Sequence, residues 1–221
     1  MKRRNKKFFW LTLLSILAVM TAASAAVAGM AVFLKDGRVV QVPVNKDDVV
    51  GISFEETAMP AAGNITWDFE SGDLRGWNAT GNVFSNQPTY GDNPTARHRG
   101  QPSNHQGNYW IGGYENRHRP SDPPGQVQGD GPQGTLTSDL FTITSPRISF
   151  LVGGGCDINT ERVELLVNGK VVLRATGKCT ETMERLTWDV SAYRGRSAQI
   201  RLIDASSGGW GHINFDDVRF E

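Results

Sequence analysis

The strongest constraint on the fold is a series of short segments in which apolar and polar residues alternate. In residues 148–152, 163–167, 186–190 and 200–202, every second side chain is apolar. A period of two is typical of half-buried strands, and turn signals about every ten residues are typical of an antiparallel sandwich. One of these signals is Asn168-Gly169, which favours a two-residue hairpin. Because no segment after Phe33 has a helical period, the sequence predicts an all-β fold.

The N-terminal sequence is typical of exported proteins. Residues 1–7 (MKRRNKK) are strongly basic, and residues 8–33 carry no charge. A basic start before an apolar stretch is the pattern of an export signal, and a stretch of about 20 apolar residues also suffices to cross a bilayer. Because small side chains at residues 23–28 offer cleavage sites, residues 1–28 are interpreted as a signal peptide or a membrane anchor. The rest is expected in the periplasm, outside the cell or anchored on the outer side of the cytoplasmic membrane.

Three further segments are predicted after this apolar stretch. Residues 29–56 contain two β-rich runs around Asp36-Gly37, which predicts a β-hairpin. Residues 57–63 form a linker that contains Ala and Gly, and residues 64–221 form the main domain. An isolated hairpin is only marginally stable, so this one is expected to pack on the main domain or on a partner.

Cys156 and Cys179 are the only cysteines, and both lie in the part expected outside the cytoplasm. An even cysteine count in an oxidising compartment predicts a structural disulfide. Closing a loop of this length would stabilise the fold by about 3 kcal/mol in the chain-entropy model. A nucleophile or a metal site would need partner residues at set spacings, and the sequence shows none.

The charge balance and the absence of catalytic motifs narrow the possible functions. Lys plus Arg and Asp plus Glu number 23 each, so the basic excess expected of a nucleic-acid-binding protein is lacking. The four histidines have no zinc-binding spacing, and neither a nucleophile elbow nor a phosphate-binding loop is present. The sequence therefore predicts a non-enzymatic protein. A pair of carboxylates for glycoside hydrolysis stays open, because their separation depends on the fold.

Residues 87–134 form a long polar segment rich in Pro, Gly, Asn, Arg and His. Loops of this length are usually functional or mobile. The segment NYWIGGY at residues 108–114 interrupts it and predicts one strand, with Tyr109 and Ile111 on one face and Trp110 on the other.

A set of short motifs follows in order along residues 64–221. The motifs are DFESG (68–72), GW (76–77), YWI (109–111), GTLTS (134–138), ISFLVGGG (148–155), WDVS (188–191) and GGWGHIN (208–214). In this order they resemble the β-sandwich carbohydrate-binding modules appended to bacterial levanases and related fructan hydrolases. The resemblance implies a jelly-roll-like sandwich that captures the end of a sugar chain, possibly fructan, without catalysis of its own.

The GGWGHIN motif supplies the main candidates for ligand binding. Glycines on both sides of Trp210 would leave its ring accessible for stacking on a sugar, and His212 and Asp204 could supply hydrogen bonds. Gly154, at the end of a strand, would let a ligand approach the backbone. Two acidic residues expected near converging loops, Glu161 and Glu184, complete the set. The alternative is structural, with Trp210 closing the end of the sandwich, Gly154 forming a bulge and the charged side chains solvated.

The two ends of the main domain supply candidate metal ligands. In residues 67–70 (WDFE) the aromatic and acidic residues alternate, and the apolar period slips by one at Asp216-Asp217, which predicts a bulge. Sugar-binding sandwiches with such ends resemble this chain and hold a structural Ca²⁺, an ion that prefers oxygen ligands. Glu70 and Asp217 are the expected ligands, with Asp68 and Asp216 as further candidates. The alternative is a salt bridge to an arginine.

The favoured function is therefore that of an exported carbohydrate-binding module. One alternative is a structural or adhesive surface protein, in which the residue 29–56 hairpin offers a strand edge to a protein partner. A small glycoside hydrolase is the other alternative, and it would require a catalytic carboxylate pair.

Overall fold

The computed structural model describes residues 30–33, 39–42, 44, 47 and 65–221. The chain divides into two units, with the boundary between Glu56 and Thr57. In the first unit, β1 (Met30–Phe33) and β2 (Val39–Val42) pair in antiparallel fashion, as the predicted hairpin requires. The Asp36-Gly37 turn, residues 1–29 of the N-terminal segment and the linker lie outside the described residues.

The second unit consists almost entirely of strands. One short helix, α1 (Asn93–Ala96), and a 3-10 turn at Ser191–Tyr193 interrupt the described part of this unit. Within the described residues, no helix combines the length and apolar character needed to span a membrane. The strands are β3 (Trp77–Gly81), β4 (Thr89–Tyr90), β5 (Tyr109–Gly112), β6 (Gly134–Ser138), β7 (Phe141–Thr142), β8 (Arg147–Gly154), β9 (Glu161–Val167), β10 (Lys170–Ala175), β11 (Thr180–Asp189), β12 (Ser197–Asp204) and β13 (Ile213–Phe220).

These strands form two antiparallel sheets with a shared core. The first sheet has the order β10-β9-β12-β6-β3, and β7 pairs with β12 beside it. The second sheet has the order β11-β8-β13-β5-β4. This arrangement confirms the predicted antiparallel β-sandwich.

The core consists of the apolar positions of the alternating segments. Along β12, buried residues alternate strictly with partly exposed ones. Phe150 of β8 contacts Trp188 of β11 and Phe215 of β13, with ring centroids 4.6 and 5.4 Å apart. Burying such side chains contributes about 1.5–3 kcal/mol each. The shared core also includes Val163, Leu165, Ile200, Leu202, Ile111 and Ile213.

The predicted β9–β10 hairpin is confirmed. Val167 pairs with Lys170, so the connection is the dipeptide Asn168-Gly169. Both residues have positive φ, at 49° and 75°. A type I′ turn requires positive φ at both central positions, and Asn and Gly tolerate it better than other residues.

The loop before β5 covers the outer face of the second sheet. Trp110 points away from Ile111, as predicted, and packs with Leu151 and Met183 in a second buried cluster. The backbone of Met183 exchanges hydrogen bonds with Ser103 and with the Asn104 side chain. The ring of His105 stacks on Trp110 at 5.9 Å. Because this loop is packed down, the outer face of the sheet is not an open surface at these strands.

The predicted bulge at the chain end is confirmed, whereas the segment facing it is not a strand. The register of β13 against β8 shifts between Asp216 and Arg219, and Asp217 has φ of 50°. Residues 65–76 are irregular, and the Val218 N–H donates to the Trp67 carbonyl oxygen. The alternation in the WDFE segment still places Phe69 in the core and leaves Asp68 exposed.

The structure contains the predicted disulfide between Cys156 and Cys179. Their Cα atoms are 5.0 Å apart, within the usual range for a disulfide. The bond joins the loop after β8 to the residue before β11.

Candidate functional site

A depression of about 320 Å³ opens at the end of the sandwich where β12 finishes and β13 begins. Its volume lies at the lower end of the range of about 300–1,000 Å³ that is usual for small-ligand sites. We call it the Trp210 pocket. The β12–β13 connection, the long polar segment and the start of β11 supply its walls. The lining residues are Arg97, Arg99, Tyr114, Asp130, Glu181, Gly209, Trp210 and His212.

A tight turn in the β12–β13 connection presents Trp210 to the pocket. Trp210 has φ of 63°, and the Gly211 N–H donates to the Gly208 carbonyl oxygen. A Cβ atom at Gly211 would lie 2.6 Å from the Ser206 carbonyl oxygen, so the turn requires glycine there. Trp210 is partly exposed while His212 is buried. The structure thus brings together the two residues predicted from the GGWGHIN motif.

His212 forms the floor of the pocket between two aromatic rings. Its ring centroid lies 5.2 Å from that of Tyr114 and 5.6 Å from that of Trp210. Nδ1 donates to Asp130 Oδ1 at 2.7 Å, and Nε2 lies 3.4 Å from Glu181 Oε2. Burial alone would lower the pKa of His212, but these two carboxylates outweigh it and raise the pKa to about 9. His212 is therefore an imidazolium at neutral pH.

Glu181 joins the imidazolium to Arg97. Arg97 Nη2 donates to Glu181 Oε1 at 2.6 Å and to Glu115 Oε1 at 2.9 Å. Burial tends to raise the pKa of Glu181, but His212 and Arg97 lower it to about 2. The side chains of Glu115 and Glu181 are 0% and 3% exposed, so these charges are paired beneath the surface.

Arg99 lies over the Trp210 ring at the rim of the pocket. Its guanidinium carbon is 5.1 Å from the ring centroid, a cation–π contact. The nearest carboxylate oxygen is Glu181 Oε1 at 3.8 Å, which already accepts from Arg97. The Arg99 side chain is 42% exposed, so part of its guanidinium is accessible to a ligand.

The structure places Asp204 and Glu161, two of the predicted ligand contacts, outside the lining of the Trp210 pocket. They are paired across β12 and β9, and only 1% and 2% of each is exposed. Asp204 continues the inward row of Ile200 and Leu202, so its side chain points into the domain and does not line the pocket. Burial, with a contribution from Glu161, raises the pKa of Asp204 to about 8 even though His212 opposes the shift. Neither oxygen of Asp204 has a hydrogen-bond partner among the described residues.

Gly154 and Glu184 also lie outside the pocket lining. Gly154 has φ of 79°, and a Cβ there would lie 2.6 Å from the His212 carbonyl oxygen. Gly154 therefore supports the backbone under His212, which matches the structural alternative of a bulge. Glu184 pairs with Lys178 at 2.6 Å beside a separate depression of about 110 Å³. Glu184 lines that depression and not the Trp210 pocket.

Five lining residues were not predicted. Arg97, Arg99, Tyr114 and Asp130 come from the long polar segment, and Glu181 begins β11. Their signal in the sequence was the length and polarity of residues 87–134, which favoured a functional loop without singling out any position.

The candidate calcium ligands separate into two groups. Glu70 Oε1 accepts from the backbone N–H groups of Asn108 and Tyr109, and Asp216 Oδ2 accepts from Gln106 N–H at 2.7 Å. Both carboxylates therefore meet the same loop. Burial raises the pKa of Asp216 to about 8, with smaller contributions from Asp217 and Glu70.

The other two candidates have different partners. Asp217 is paired with Arg185 and Arg219, which is the salt-bridge alternative, and Asp68 caps its own turn by accepting from the Glu70 N–H. The described part of the chain contains no cluster of three or more His, Cys, Asp or Glu side chains that could hold a metal ion.

Comparison with known proteins gives a sequence relative and several weak structural matches. No protein-family model matches the chain. The chain is 38% identical over 164 residues to the Aspergillus rugulosus protein named "Putative glycosyl hydrolase ecdE", covering 73% of this chain and 21% of that protein. The chain thus spans about a fifth of the length of this relative.

The solved structures similar to this chain include sugar-binding and adhesin domains. TmCBM61 in complex with β-1,4-galactotriose matches with a TM-score of 0.43 and 16% identity, covering 72% of this chain and 99% of that one. The K1 cleaved adhesin domain of Lys-gingipain from Porphyromonas gingivalis W83 matches with a TM-score of 0.39 and 13% identity, covering 70% and 95%. Similarity at this level assigns no function to the chain.

Proposed function

We propose that the chain is an exported, non-catalytic carbohydrate-binding module that captures the end of a sugar chain in the Trp210 pocket. The main support is the pocket itself, in which a partly exposed indole stands beside polar groups held in fixed positions. Sugar rings have an apolar face and a polar edge, and a site with one aromatic ring and a few oriented hydrogen-bonding groups suits both.

The position of the pocket favours a chain end over a chain interior. The pocket lies among loops at the end of the sandwich, whereas a long sugar chain would need an open sheet face. In the second sheet, the loop of residues 103–105 packs over Trp110 and Met183 on the outer face. The motif resemblance makes fructan the first glycan to test.

The charge states of the site support binding without catalysis. A glycoside hydrolase needs an accessible carboxylic acid with a raised pKa beside a second, ionised carboxylate. Glu181 has a pKa of about 2 and is held by Arg97 and His212. Asp204 has a raised pKa but is 1% exposed, out of reach of a sugar in the pocket. The glycosyl hydrolase activity in the name of the relative is therefore not proposed for this chain.

Replacing Trp210 with alanine is expected to weaken glycan binding at least about tenfold, because the variant loses the ring on which the sugar stacks. Glycan-array binding followed by titration calorimetry measures the effect, with fructans, glucans and galactans on the array. Leu140→Ala is the control, since Leu140 is 40% exposed and follows the opposite end of β6. Absence of binding by the parent protein to every glycan would refute the proposed function, and unchanged affinity in Trp210→Ala would exclude this pocket.

We also propose a structural Ca²⁺ held by Glu70 and Asp216. Their carboxylates approach the same loop from opposite ends of the domain sequence, and carboxylate oxygens are preferred calcium ligands. Asp217 is left out because its two arginine partners already neutralise it.

Adding Ca²⁺ after treatment with EDTA is expected to raise the melting temperature by several degrees, because an ion that binds only the folded state stabilises it. Differential scanning fluorimetry measures the shift at saturating Ca²⁺. Asp216→Asn should abolish the response, while the exposed Asp73→Asn should retain it. A response that is absent in the parent protein, or that persists in Asp216→Asn, would contradict this site.

A further inference from the structure

The charged side chains around the Trp210 pocket fall into a mutually paired set and a set with hydrogen-bonding capacity left for a ligand. The paired set contains Arg97, Glu115, Glu181 and His212, whose side chains are 16%, 0%, 3% and 3% exposed. These four groups are bonded to one another or to Asp130. They form a rigid floor whose charges are already matched, so they offer little to a ligand.

The second set consists of one cation and one anion. Arg99 is 42% exposed; its Nε lies 3.8 Å from Glu181 Oε1 and its guanidinium lies over the Trp210 ring, but the guanidinium makes no hydrogen bond among the described residues. Asp130 is 19% exposed and uses Oδ1 for His212, which leaves Oδ2 as an acceptor. The pocket therefore presents a planar donor group that makes no hydrogen bond and a carboxylate oxygen that accepts none, both beside the indole of Trp210.

This combination determines the chemistry of a matching ligand. Each sugar hydroxyl can donate one hydrogen bond and accept others. A pair of neighbouring hydroxyls can therefore accept from Arg99 and donate to Asp130 at the same time. A carboxylate can only accept, so it would satisfy Arg99 but would face Asp130 Oδ2 with a like charge.

We propose that Arg99 and Asp130 determine the specificity of the pocket by binding neighbouring hydroxyls of an uncharged sugar and by excluding sugars that carry a carboxylate. This inference rests on the proposed carbohydrate-binding function and adds the ligand class and two residues that contact it. Trp210, which carries the Arg99 guanidinium over its ring, supplies the apolar surface, and the hydrogen bond from His212 holds Asp130 in place.

The test compares neutral and acidic sugars of matched shape. Calorimetry at pH 7 is carried out on the complete chain with fructose, glucose and galactose oligomers, and with glucuronate and galacturonate oligomers. The parent protein is expected to bind at least one neutral series and to bind the uronate of the same ring configuration at least about tenfold more weakly. If fructose oligomers are the only ligands, each uronate series is expected to show no binding.

Two variants assign the effect to the proposed residues. Arg99→Gln should weaken binding of the neutral sugar at least about tenfold, since hydrogen bonds to a charged group are among the stronger ones. Asp130→Asn keeps a side-chain acceptor but removes the negative charge. The difference in affinity between the neutral sugar and the matching uronate should therefore become smaller in this variant. Arg194→Gln, at an exposed arginine of the 3-10 turn region, is the control and should leave both affinities unchanged.

The outcomes separate this inference from the proposed function. No binding by the parent protein to any sugar would overturn both. Binding of uronates as tight as, or tighter than, that of neutral sugars would overturn only the inference about specificity. An unchanged affinity for the neutral sugar in Arg99→Gln would also overturn only the inference about specificity. Circular dichroism of each variant confirms that a lost affinity does not come from a lost fold.

Discussion

Replacement of Glu181 with glutamine is expected to lower the free energy of unfolding by about 3–5 kcal/mol, the usual cost of breaking a buried ion pair on one side. Glu181 is 2% exposed and contacts Arg97 at 2.6 Å and His212 at 3.4 Å. A neutral amide would leave Arg97 and His212 with one carboxylate partner each instead of two, because both now share Glu181. Chemical denaturation with urea at pH 7 measures the loss.

The same strand provides a matched control. Glu184 also lies in β11 and also contacts a cation, Lys178, but the two side chains are 59% and 70% exposed. Exposed ion pairs contribute about 0–1 kcal/mol, so Glu184→Gln should be nearly neutral. Equal effects of the two substitutions would show that the Glu181 contacts do not stabilise the fold as the structure indicates. The pKa of His212, followed by NMR, should fall in Glu181→Gln because one of its two carboxylate partners is lost.

The fold was predictable because apolar side chains that recur at every second residue lie on one face of a β-strand. Once residues 148–152 and 186–190 are recognised as strands, their apolar positions must face one another across a core. Asn168-Gly169 likewise specified its hairpin locally, through the tolerance of both residues for positive φ. Such features depend only on residues that are close in the sequence, so the sequence alone is enough to predict them.

The site was only partly predictable because it is assembled from distant segments. Trp210 and His212 lie in one motif, and the structure places both in the pocket. Asp204 was assigned to the ligand although the alternation through Ile200 and Leu202 already placed it inward. Arg97 and Arg99 could not be singled out, since a loop takes its conformation from contacts such as Arg97 with Glu181, 84 positions along the chain.

The stability of the domain is expected to fall as the pH rises from about 4 to about 9. Asp204 has an ordinary pKa of 3.8 and a folded pKa of about 8, raised chiefly by burial. Below pH 3.8 both the folded and unfolded forms hold the proton, so its contribution is fully present. Between the two values only the folded form keeps the proton, and the contribution is lost as the pH passes through 8.

The titration of His212 also lowers the stability of the domain as the pH rises. Its pKa rises from 6.5 to about 9 on folding because of Asp130 and Glu181, so the stability it contributes is present below pH 6.5 and is lost as the pH rises through 9. The opposite case is Glu181, whose pKa falls from 4.5 to about 2 on folding, so its contribution is lost only below about pH 4.5. The three shifts together place the maximum of stability near mildly acidic pH.

Asp204→Asn isolates the largest of these effects. The amide cannot ionise, so the variant should match the parent near pH 4 and exceed it increasingly at higher pH, by on the order of 5 kcal/mol above pH 8. Urea denaturation at pH 4, 6, 8 and 9 in the presence of EDTA measures the difference without interference from Ca²⁺. Asp189→Asn is the control, because Asp189 is on the surface and its pKa is lowered, so its effect should not change above pH 4. If the advantage of Asp204→Asn were constant across this range, Asp204 would titrate as an ordinary carboxyl, and the buried pair with Glu161 could not hold its proton as the structure implies.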